Sequence, residues 1–365
     1  MSSTFLYRLP VEQTQWKVEG QTTTAFTWEY EDGSEDLLRL YAKGKKQQWD
    51  AADRLDWSQE VDPDNPMGMS DRTIAIHGTD LWNSLGEKDR VHIRRNLQAH
   101  SLSQFMHGEQ GALIATAKIV QTVPTYESKF YAATQVMDEA RHVEAYSRLL
   151  HEKFKLAYPI TPTLAKLLEA TITDRRWDMT YLGMQILIEG LALAAFQRIR
   201  DNSTNPLCAA VNAYVMQDEA RHVAFGRLAL REYYPQLSDA ERDEREEFVV
   251  EACYHMRDRF DQKEVWENLG LPVKECVAAV DQSDTMKQFR RRLFTRIVPT
   301  VKDIGLWGTR VRRAYEDMGV MEFADTDAAA ILENDNRVAE EFDAKQFVGQ
   351  QLGQRPRRPS PCPLP

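Results

Sequence analysis

The sequence lacks the features that would assign it to several large classes of protein. It has no excess of basic residues, because 46 Lys and Arg stand against 56 Asp and Glu, and the formal net charge is -10. A general nucleic-acid binder needs a concentrated basic surface to neutralise phosphates, so nucleic acid is not an expected partner. No stretch resembles a flavin or nucleotide fingerprint, so we expect no bound flavin or nucleotide.

Closely spaced cysteines and long apolar runs are also missing. The four cysteines, Cys208, Cys253, Cys276 and Cys362, are too far apart for a zinc knuckle or a redox CxxC pair and too few to build a disulfide framework. No apolar run reaches the roughly 18 to 20 residues of a membrane span, and the N-terminus has no signal-peptide pattern. The sequence therefore predicts a cytoplasmic protein with reduced thiols and no membrane span.

Long segments with apolar residues at helical spacing are what the sequence does contain. Four of them cover residues 88–122, 127–156, 174–200 and 206–234. Prolines such as Pro124 and Pro235 end them, because proline lacks the N–H that continues a helix. Four long helices joined by short connections predict an antiparallel bundle.

The flanking regions give weaker signals. Residues 1–86 show one helical pattern, around 36–50, and are expected to wrap the bundle. Ser238 and Glu241 form a capping-box pattern that opens a helix to about residue 265. Further helices are expected at 274–280 and 284–315, a short one within 325–343, and disorder in the Pro- and Arg-rich last dozen residues.

The predicted fold is therefore all-α, a four-helix bundle with additional flanking helices and an irregular N-terminal segment. Its expected divisions are an N-terminal wrapping segment at 1–86, the bundle at 87–235, packing helices at 236–320 and an acidic segment with a disordered tail at 321–365.

A repeat within the bundle carries the chemistry. The hexapeptide Asp-Glu-Ala-Arg-His-Val occurs at 138–143 and again 80 residues later at 218–223. The same offset relates Glu109 to Glu189, and each of these stands in an otherwise apolar stretch. A single Glu-x-x-His is usually a solvated pair, but two copies in register with buried lone glutamates exclude that interpretation. The chain contains a duplicated helix pair.

The spacing of the repeat suits metal binding. Residues three apart lie on one face of a helix, so the Glu and His of each copy can bind one ion together. The two lone glutamates then face the same interior and are expected to bridge the ions. Four carboxylates and two imidazoles without thiolates favour iron, with manganese also suitable. The six predicted ligands are Glu109, Glu139, His142, Glu189, Glu219 and His222.

The two D-E-x-R-H motifs, at 138–142 and 218–222, resemble the ferritin-like di-iron carboxylate superfamily over about residues 95–234. That superfamily includes multicomponent monooxygenase hydroxylases, ribonucleotide reductase small subunits, acyl-carrier-protein desaturases and aromatic-CoA epoxidases. The resemblance implies a ferritin-like bundle with a di-iron centre that activates dioxygen. It also implies that Asp138, Arg141, Asp218 and Arg221 surround and steer the ligating histidines.

Residues near the lone glutamates predict a mostly apolar pocket, although each one taken singly is more typical of a core residue than of a substrate contact. They are Phe105, Leu113, Gln185, Leu193 and Phe196. Tyr146 lies one turn after His142, at the position of the radical tyrosine in ribonucleotide reductase small subunits. A buried tyrosine with an ordinary hydrogen bond is the competing interpretation.

The preferred function is a di-iron monooxygenase that takes electrons from a separate ferredoxin or reductase and hydroxylates, epoxidises or N-oxygenates a small organic substrate with dioxygen. A desaturase or a ribonucleotide reductase-like radical-generating subunit using Tyr146 is an alternative, although the reductase family usually has Asp at the position of Glu109. An iron-storage or detoxification protein of the ferritin type is the alternative from another class. Nitro-forming N-oxygenases usually have a third histidine where this chain has Val215, which counts against that reaction. A Mn/Fe pair and a homodimer stay open.

Overall fold

The computed structural model describes residues 22–25, 27, 33–258 and 260–351, and for 339 and 342–351 only the backbone. These residues form helices and turns and contain no strand, so the all-α prediction is confirmed. The predicted disordered dozen at the C-terminus lies outside the described residues.

Four long helical segments form the bundle, as predicted. Three short helices precede it, α1 (Glu35–Lys46), α2 (Ala51–Arg54) and α3 (Asp80–Ser84). The bundle consists of α4 (Glu87–Thr122), α5 (Tyr126–Arg148), the continuous α7 and α8 (Trp177–Tyr181 and Glu189–Asn202) and α9 (Pro206–Tyr233), with α6 (Pro162–Thr173) between the second and third. Helix α4 packs on α5, α8 packs on α9, and α5 contacts α9.

Capping residues set where these helices begin. The Asn205 side chain accepts a hydrogen bond from the Cys208 N–H at 3.0 Å, and Pro206 occupies the first turn, where its missing N–H costs nothing. Thr161 caps α6 in the same way, with Pro162 following it. The sequence-based expectation overlooked α6, because the prolines before it suggested only an end to the preceding helix.

Two π-helical turns interrupt the regular geometry next to the centre of the bundle. One, Leu149–Phe154, extends α5 and ends at Lys155, whose φ of 51° is left-handed. The other, Leu182–Ile188, joins α7 to α8. Such turns insert an extra residue into a helix and are common at functional sites. The second one leads directly into Glu189.

The region after the bundle is more broken than the sequence suggested. The predicted capping box is present, since Glu241 accepts a hydrogen bond from the Ser238 N–H at 2.8 Å. The helix it opens ends earlier than expected, before Gln262, whose φ of 57° is left-handed. Here the chain forms α10 (Asp239–Asp258), α11 (Lys263–Asn268) and α12 (Val273–Gln282).

The single helix expected over 284–315 is wrong. The segment contains three helices, α13 (Asp284–Arg292), α14 (Ile297–Asp303) and α15 (Thr309–Asp317), and Gly305 turns the chain between the last two with a φ of 89°. The acidic stretch holds a longer helix than predicted, α16 (Ala328–Gln351), which packs on α9.

The third helical segment of the bundle is the apolar centre of the fold. By length and composition Trp177–Asn202 is apolar enough to cross a membrane, but 94% of its most apolar window is buried inside the protein. Its neighbours include α9 on one side and α10 and α14 near the π turn. It therefore serves as a core helix of this fold.

Candidate metal centre

The six predicted ligands converge in the middle of the bundle. Helix α4 supplies one glutamate, α5 and α9 each supply a Glu-x-x-His pair, and the start of α8 supplies the last glutamate. No ligand is more than 4% exposed, so the cluster is shielded from bulk water. The side chains are Glu109, Glu139, His142, Glu189, Glu219 and His222.

Their ligand atoms fall into two groups, and within each group all atoms lie within 4.8 Å of one another. The Glu109 group consists of Glu109, Glu139, His142 and Glu219. The Glu189 group consists of Glu139, Glu189, Glu219 and His222. Glu139 and Glu219 therefore belong to both groups, whereas the sequence led us to expect Glu109 and Glu189 in the bridging positions. The reason is that α5 and α9 pack against each other across the site, whereas each lone glutamate approaches from its own side.

Both histidines point the same ring atom at the cluster. His142 Nδ1 lies 3.1 Å from Glu219 Oε1 and 3.2 Å from Glu109 Oε2. His222 Nδ1 lies 3.1 Å from Glu139 Oε1 and 3.3 Å from Glu219 Oε2. The Nδ1 atoms are thus the ones available to a metal ion.

The Nε2 atom of each histidine lies within hydrogen-bonding distance of an aspartate, and in both cases that aspartate belongs to the other repeat. His142 Nε2 lies 3.0 Å from Asp218 Oδ2, and His222 Nε2 lies 3.2 Å from Asp138 Oδ2. An Nε2–H that donates to a carboxylate leaves Nδ1 with a lone pair, which is the tautomer a metal ligand needs. Each aspartate therefore orients the histidine of the other repeat.

Arginines of the repeat neutralise these aspartates. Arg141 donates to Asp138 and, at 2.9 Å, to Asp218 Oδ2. Arg221 donates to Asp218 and lies 3.6 Å from Asp138 Oδ2. All four charges are buried, and their mutual pairing offsets the cost of removing them from water.

A segment directly after α1 completes this layer, and sequence reasoning missed it. Gln48 donates to Asp138 Oδ1 at 2.7 Å, and the Trp49 indole N–H donates to Asp218 Oδ2 at 2.8 Å. Gln47 accepts from Arg221 at 3.0 Å. We call residues 47–49 the capping segment. The helical pattern around 36–50 includes these residues, but the helix ends at Lys46, and helical spacing gave no signal for their contacts with the aspartates and arginines.

Burial and charge set the protonation of the cluster. Burial, reinforced by the Glu219 carboxylate, raises the pKa of Glu109 and of Glu189 well above the usual range. Burial works against a charged imidazole, but the surrounding carboxylates outweigh it and raise the pKa of His142 and His222 well above normal. Protons and metal ions therefore compete for the same positions.

This donor set fits two divalent cations. The two arginines cancel the two aspartates, so four glutamates remain to balance two dipositive ions when the histidines are neutral. Glu189 Oε2 is buried without a hydrogen-bond partner, and such an atom is costly unless something positive binds it. In the metal-free cluster the contacts of about 3 Å between Nδ1 and the carboxylate oxygens are hydrogen bonds of protonated imidazoles, and a cation that takes the place of these protons leaves the imidazoles neutral.

Gln135 is a second residue that sequence reasoning overlooked. It lies one turn before Glu139, is fully buried, and its Nε2 is 2.8 Å from Glu189 Oε1 and 3.0 Å from Glu139 Oε1. Its amide oxygen has no hydrogen-bond partner. A polar residue one helical turn before a ligand in an otherwise apolar position is the signal that would have identified it.

Three aromatic rings border the Glu109 side of the cluster, and we call Phe105, Tyr146 and Phe196 the aromatic wall. The Phe105 ring lies 4.6 Å from Phe196 and 5.8 Å from Tyr146, measured between centroids. Tyr146 is fully buried and donates its hydroxyl to Asn212 at 3.1 Å. Burial, with Glu109 and Glu219 nearby, raises the pKa of Tyr146 well above normal, so its phenol stays protonated.

A cavity of about 120 Å³ lies on the other side of Phe105. Its walls come from residues 67–74, from α4 and α8, and from α13. Of the residues predicted to form a pocket, Phe105 lines it, whereas Leu193 and Phe196 lie in the core. Leu113 is half-buried on α4, and Gln185 packs against Gly226, where an added Cβ would lie 2.5 Å from the Gln185 Cβ.

Comparison with protein families identifies the relatives of this site. The family of p-aminobenzoate N-oxygenase AurF matches residues 29–305, which include all six ligands. The chain belongs to this family. The predicted ferritin-like superfamily and the non-haem di-iron oxygenase class are thereby confirmed. That Val215 counts against the nitro-forming reaction stays a prediction, and this buried apolar position does not remove the chain from the family.

A search of solved structures finds an R2-like ligand-binding oxidase, a point variant with an anaerobically reconstituted Mn/Fe cofactor. The two chains are 17% identical, the match covers 74% of this chain and 94% of that chain, and the TM-score is 0.47. No curated protein sequence matches the chain significantly.

Proposed function

We propose that the protein binds two iron ions through the six ligands and uses dioxygen to oxidise a small aromatic substrate that carries an anionic group. The observation that carries this proposal is the pair of buried ligand groups that share Glu139 and Glu219. Two ferrous ions held by these six residues would supply electrons to dioxygen in a site closed to bulk water. A Mn/Fe pair fits the same donors, and metal counting distinguishes the two.

The cavity beside Phe105 is the proposed substrate site. Its volume of about 120 Å³ is comparable with the roughly 150 Å³ cavity known to hold benzene, so it suits a single ring. Phe105 stands between this cavity and Tyr146, whose phenol is close enough to Glu109 and Glu219 to be influenced by both. A shift of the Phe105 ring would connect the substrate to the metal side of the aromatic wall.

Arg198 is the reason for proposing that the substrate carries an anionic group. Two arginines line the cavity, but Arg94 is paired with Asp71 at 2.9 Å and with Glu87 at 2.9 Å. Arg198 donates to the Thr73 carbonyl at 2.9 Å and lies over the Phe289 ring, and within the described part of the chain no carboxylate pairs with it. Burial lowers the pKa of Arg198 to about 10, so it is still charged at neutral pH. A half-buried guanidinium without a carboxylate partner favours a carboxylate or phosphate ligand.

The electron donor is proposed to be a separate ferredoxin or reductase. Insertion of one oxygen atom reduces the other to water and consumes two electrons and two protons, and the sequence shows no flavin or nucleotide fingerprint that would deliver them. We place the reaction in the cytoplasm, since Cys208, Cys253 and Cys276 are buried free thiols.

The test is to load the full chain anaerobically with ferrous iron, count the metal, and mix it with dioxygen and candidate substrates in a stopped-flow spectrometer. p-Aminobenzoate and its methyl ester form the first matched pair, followed by para-methyl and para-hydroxy benzoates. We expect about two irons per chain, faster decay of the oxygenated species with the free acids, and one labelled oxygen from ¹⁸O₂ in the product.

Variants at two positions sharpen the test. Arg198→Leu should raise KM for the acids by about 10- to 100-fold, the cost of a charged hydrogen-bonded partner, whereas Arg198→Lys should lose less. Fewer than about one and a half irons per chain would contradict the dinuclear centre. Mineral formation without substrate oxidation would indicate iron storage, and a stable radical that disappears in Tyr146→Phe would indicate a radical-generating subunit.

A further inference from the structure

Gln135 contacts two carboxylates of the cluster: Glu189, which belongs to one ligand group only, and Glu139, which both groups share. Its amide nitrogen is 2.8 Å from Glu189 Oε1 and 3.0 Å from Glu139 Oε1, and both carboxylates belong to the Glu189 group. The side chain is 0% exposed and its amide oxygen has no partner. A buried amide oxygen without a partner is destabilising, so a site that keeps it is expected to hold a group that binds it.

The position of this amide matches that of a metal ligand. Divalent metals bind carboxylate oxygens at about 2.0–2.2 Å, so two ligand atoms at right angles around one ion are about 3 Å apart. The Gln135 amide end stands at that separation from two oxygens of the same ligand group. It therefore lies where a further ligand of that ion would lie.

The orientation of the amide follows from the charge it faces. Next to bare carboxylates, the NH₂ group points inward because it donates hydrogen bonds to them. Next to a cation, the oxygen is favoured, and a half-turn about the last side-chain bond exchanges the two nearly isosteric ends. The same side chain can therefore stabilise the metal-free cluster and bind the ion.

We propose that the Gln135 amide oxygen is a seventh metal ligand and that it binds only the ion of the Glu189 group. This inference rests on the proposed dinuclear centre. The 80-residue duplication explains the asymmetry, because the equivalent position one turn before Glu219 is Val215, which is fully buried and has no donor atom. The two ions therefore differ in coordination although their six other ligands repeat.

The first measurement is a calorimetric titration of the metal-free full chain with Mn²⁺ alone. The wild type is expected to bind two ions. Gln135→Leu should weaken one of the two binding steps by about 10- to 100-fold and leave the other unchanged. Val215→Ala, a truncation at the duplicated position, should leave both steps as in the wild type. Circular dichroism of each metal-free variant verifies that it is folded.

A crystal structure of the Mn²⁺-loaded wild type, with the ions located by anomalous scattering, provides the second measurement. A Gln135 oxygen within about 2.5 Å of the ion beside Glu189 and His222 is expected. An amide that stays more than 3 Å away, or a Gln135→Leu variant that binds both ions like the wild type, overturns the inference and leaves the dinuclear centre standing. A wild type that binds fewer than two ions overturns the proposed function instead.

Discussion

The two halves of the bundle repeat the ligands but not their surroundings. The first half places Phe105 against Tyr146, and the positions 80 residues later place Gln185 against Gly226. Each half thus brings the same two positions into contact. One pair forms part of the aromatic wall beside the cavity, and the other forms a close helix–helix contact beside a π turn. The duplication conserved the metal site while the two sides took different roles.

The difference between the halves separates the residues proposed to bind metal from those proposed to bind substrate. Glu139 and Glu219 are equivalent and shared, so the metal plan is nearly symmetric. The cavity exists on the Phe105 side, and Gln135 has its polar contact on the Glu189 side. Substrate access and metal coordination are therefore biased toward opposite halves.

The largest expected effect comes from breaking the shared carboxylates. Glu219→Ala removes a ligand from both groups and should reduce retained metal from about two ions to fewer than about 0.5 per chain, with activity lost. Glu189→Ala removes a ligand from one group and should retain about one ion. Metal counting after gel filtration separates them. Equal retention in the two variants would contradict the shared role of Glu219.

Low pH should weaken metal binding by both ligand groups. The pKa values of His142, His222, Glu109 and Glu189 are raised, so these groups hold protons that a metal ion must displace. Metal binding therefore strengthens as pH rises, by up to about tenfold per pH unit for each proton released. Mn²⁺ titrations at about pH 6 and pH 8 measure this. Affinity that is independent of pH would show that the groups are already deprotonated.

Replacing each aspartate by asparagine tests whether it orients the histidine of the other repeat. Because Asp218 holds His142, Asp218→Asn should weaken the ion of the Glu109 group by about 10- to 100-fold. Asp138→Asn should weaken the other ion. In a Glu189→Ala background, which keeps only the Glu109 group complete, Asp218→Asn should reduce Mn²⁺ affinity and Asp138→Asn should have a smaller effect. The reverse ranking would show that each aspartate serves its own repeat.

The smallest expected effect is on protein stability and comes from Gln185, which packs against Gly226 where the first half has Phe105 and Tyr146. Both amide atoms of Gln185 are buried without a hydrogen-bond partner. Gln185→Leu should therefore raise the free energy of unfolding of the metal-free protein by about 1–2 kcal/mol, measured by urea denaturation. Phe105→Leu, the matched change in the first half, should lower it by about 1 kcal/mol through lost packing. A loss of stability in Gln185→Leu would reveal a bound partner for the amide.

The sequence predicted the bundle and the ligands because both depend on periodicity. Helical spacing predicted that Glu109 and Glu139 lie on helices, and the 80-residue offset to Glu189 and Glu219 marked them as equivalent positions of a repeat. Which carboxylates belong to both ligand groups was not predictable, because it depends on how closely α5 and α9 approach each other. The break near Gly305 was missed because apolar spacing continued through it.

Long-range side-chain contacts were also beyond the sequence. Trp49 reaches Asp218 across 169 positions, and Arg198 meets Thr73 across 125. Neither contact leaves a local pattern, since each depends on the packing of an irregular segment against a finished bundle. Proposed pocket residues such as Leu193 proved to be core because the helical face near a ligand points inward whether or not a cavity lies there.

The contacts of Asp138 and Asp218 with the histidine of the opposite repeat bear on how a duplicated chain could arise. Asp138 orients the histidine of the second repeat, and Asp218 orients the histidine of the first. A polypeptide with a single repeat would therefore have left its histidine unsupported unless two copies associated face to face. The 80-residue repeat and the crossed contacts are the arrangement that doubling and fusing a gene for one such hairpin would produce.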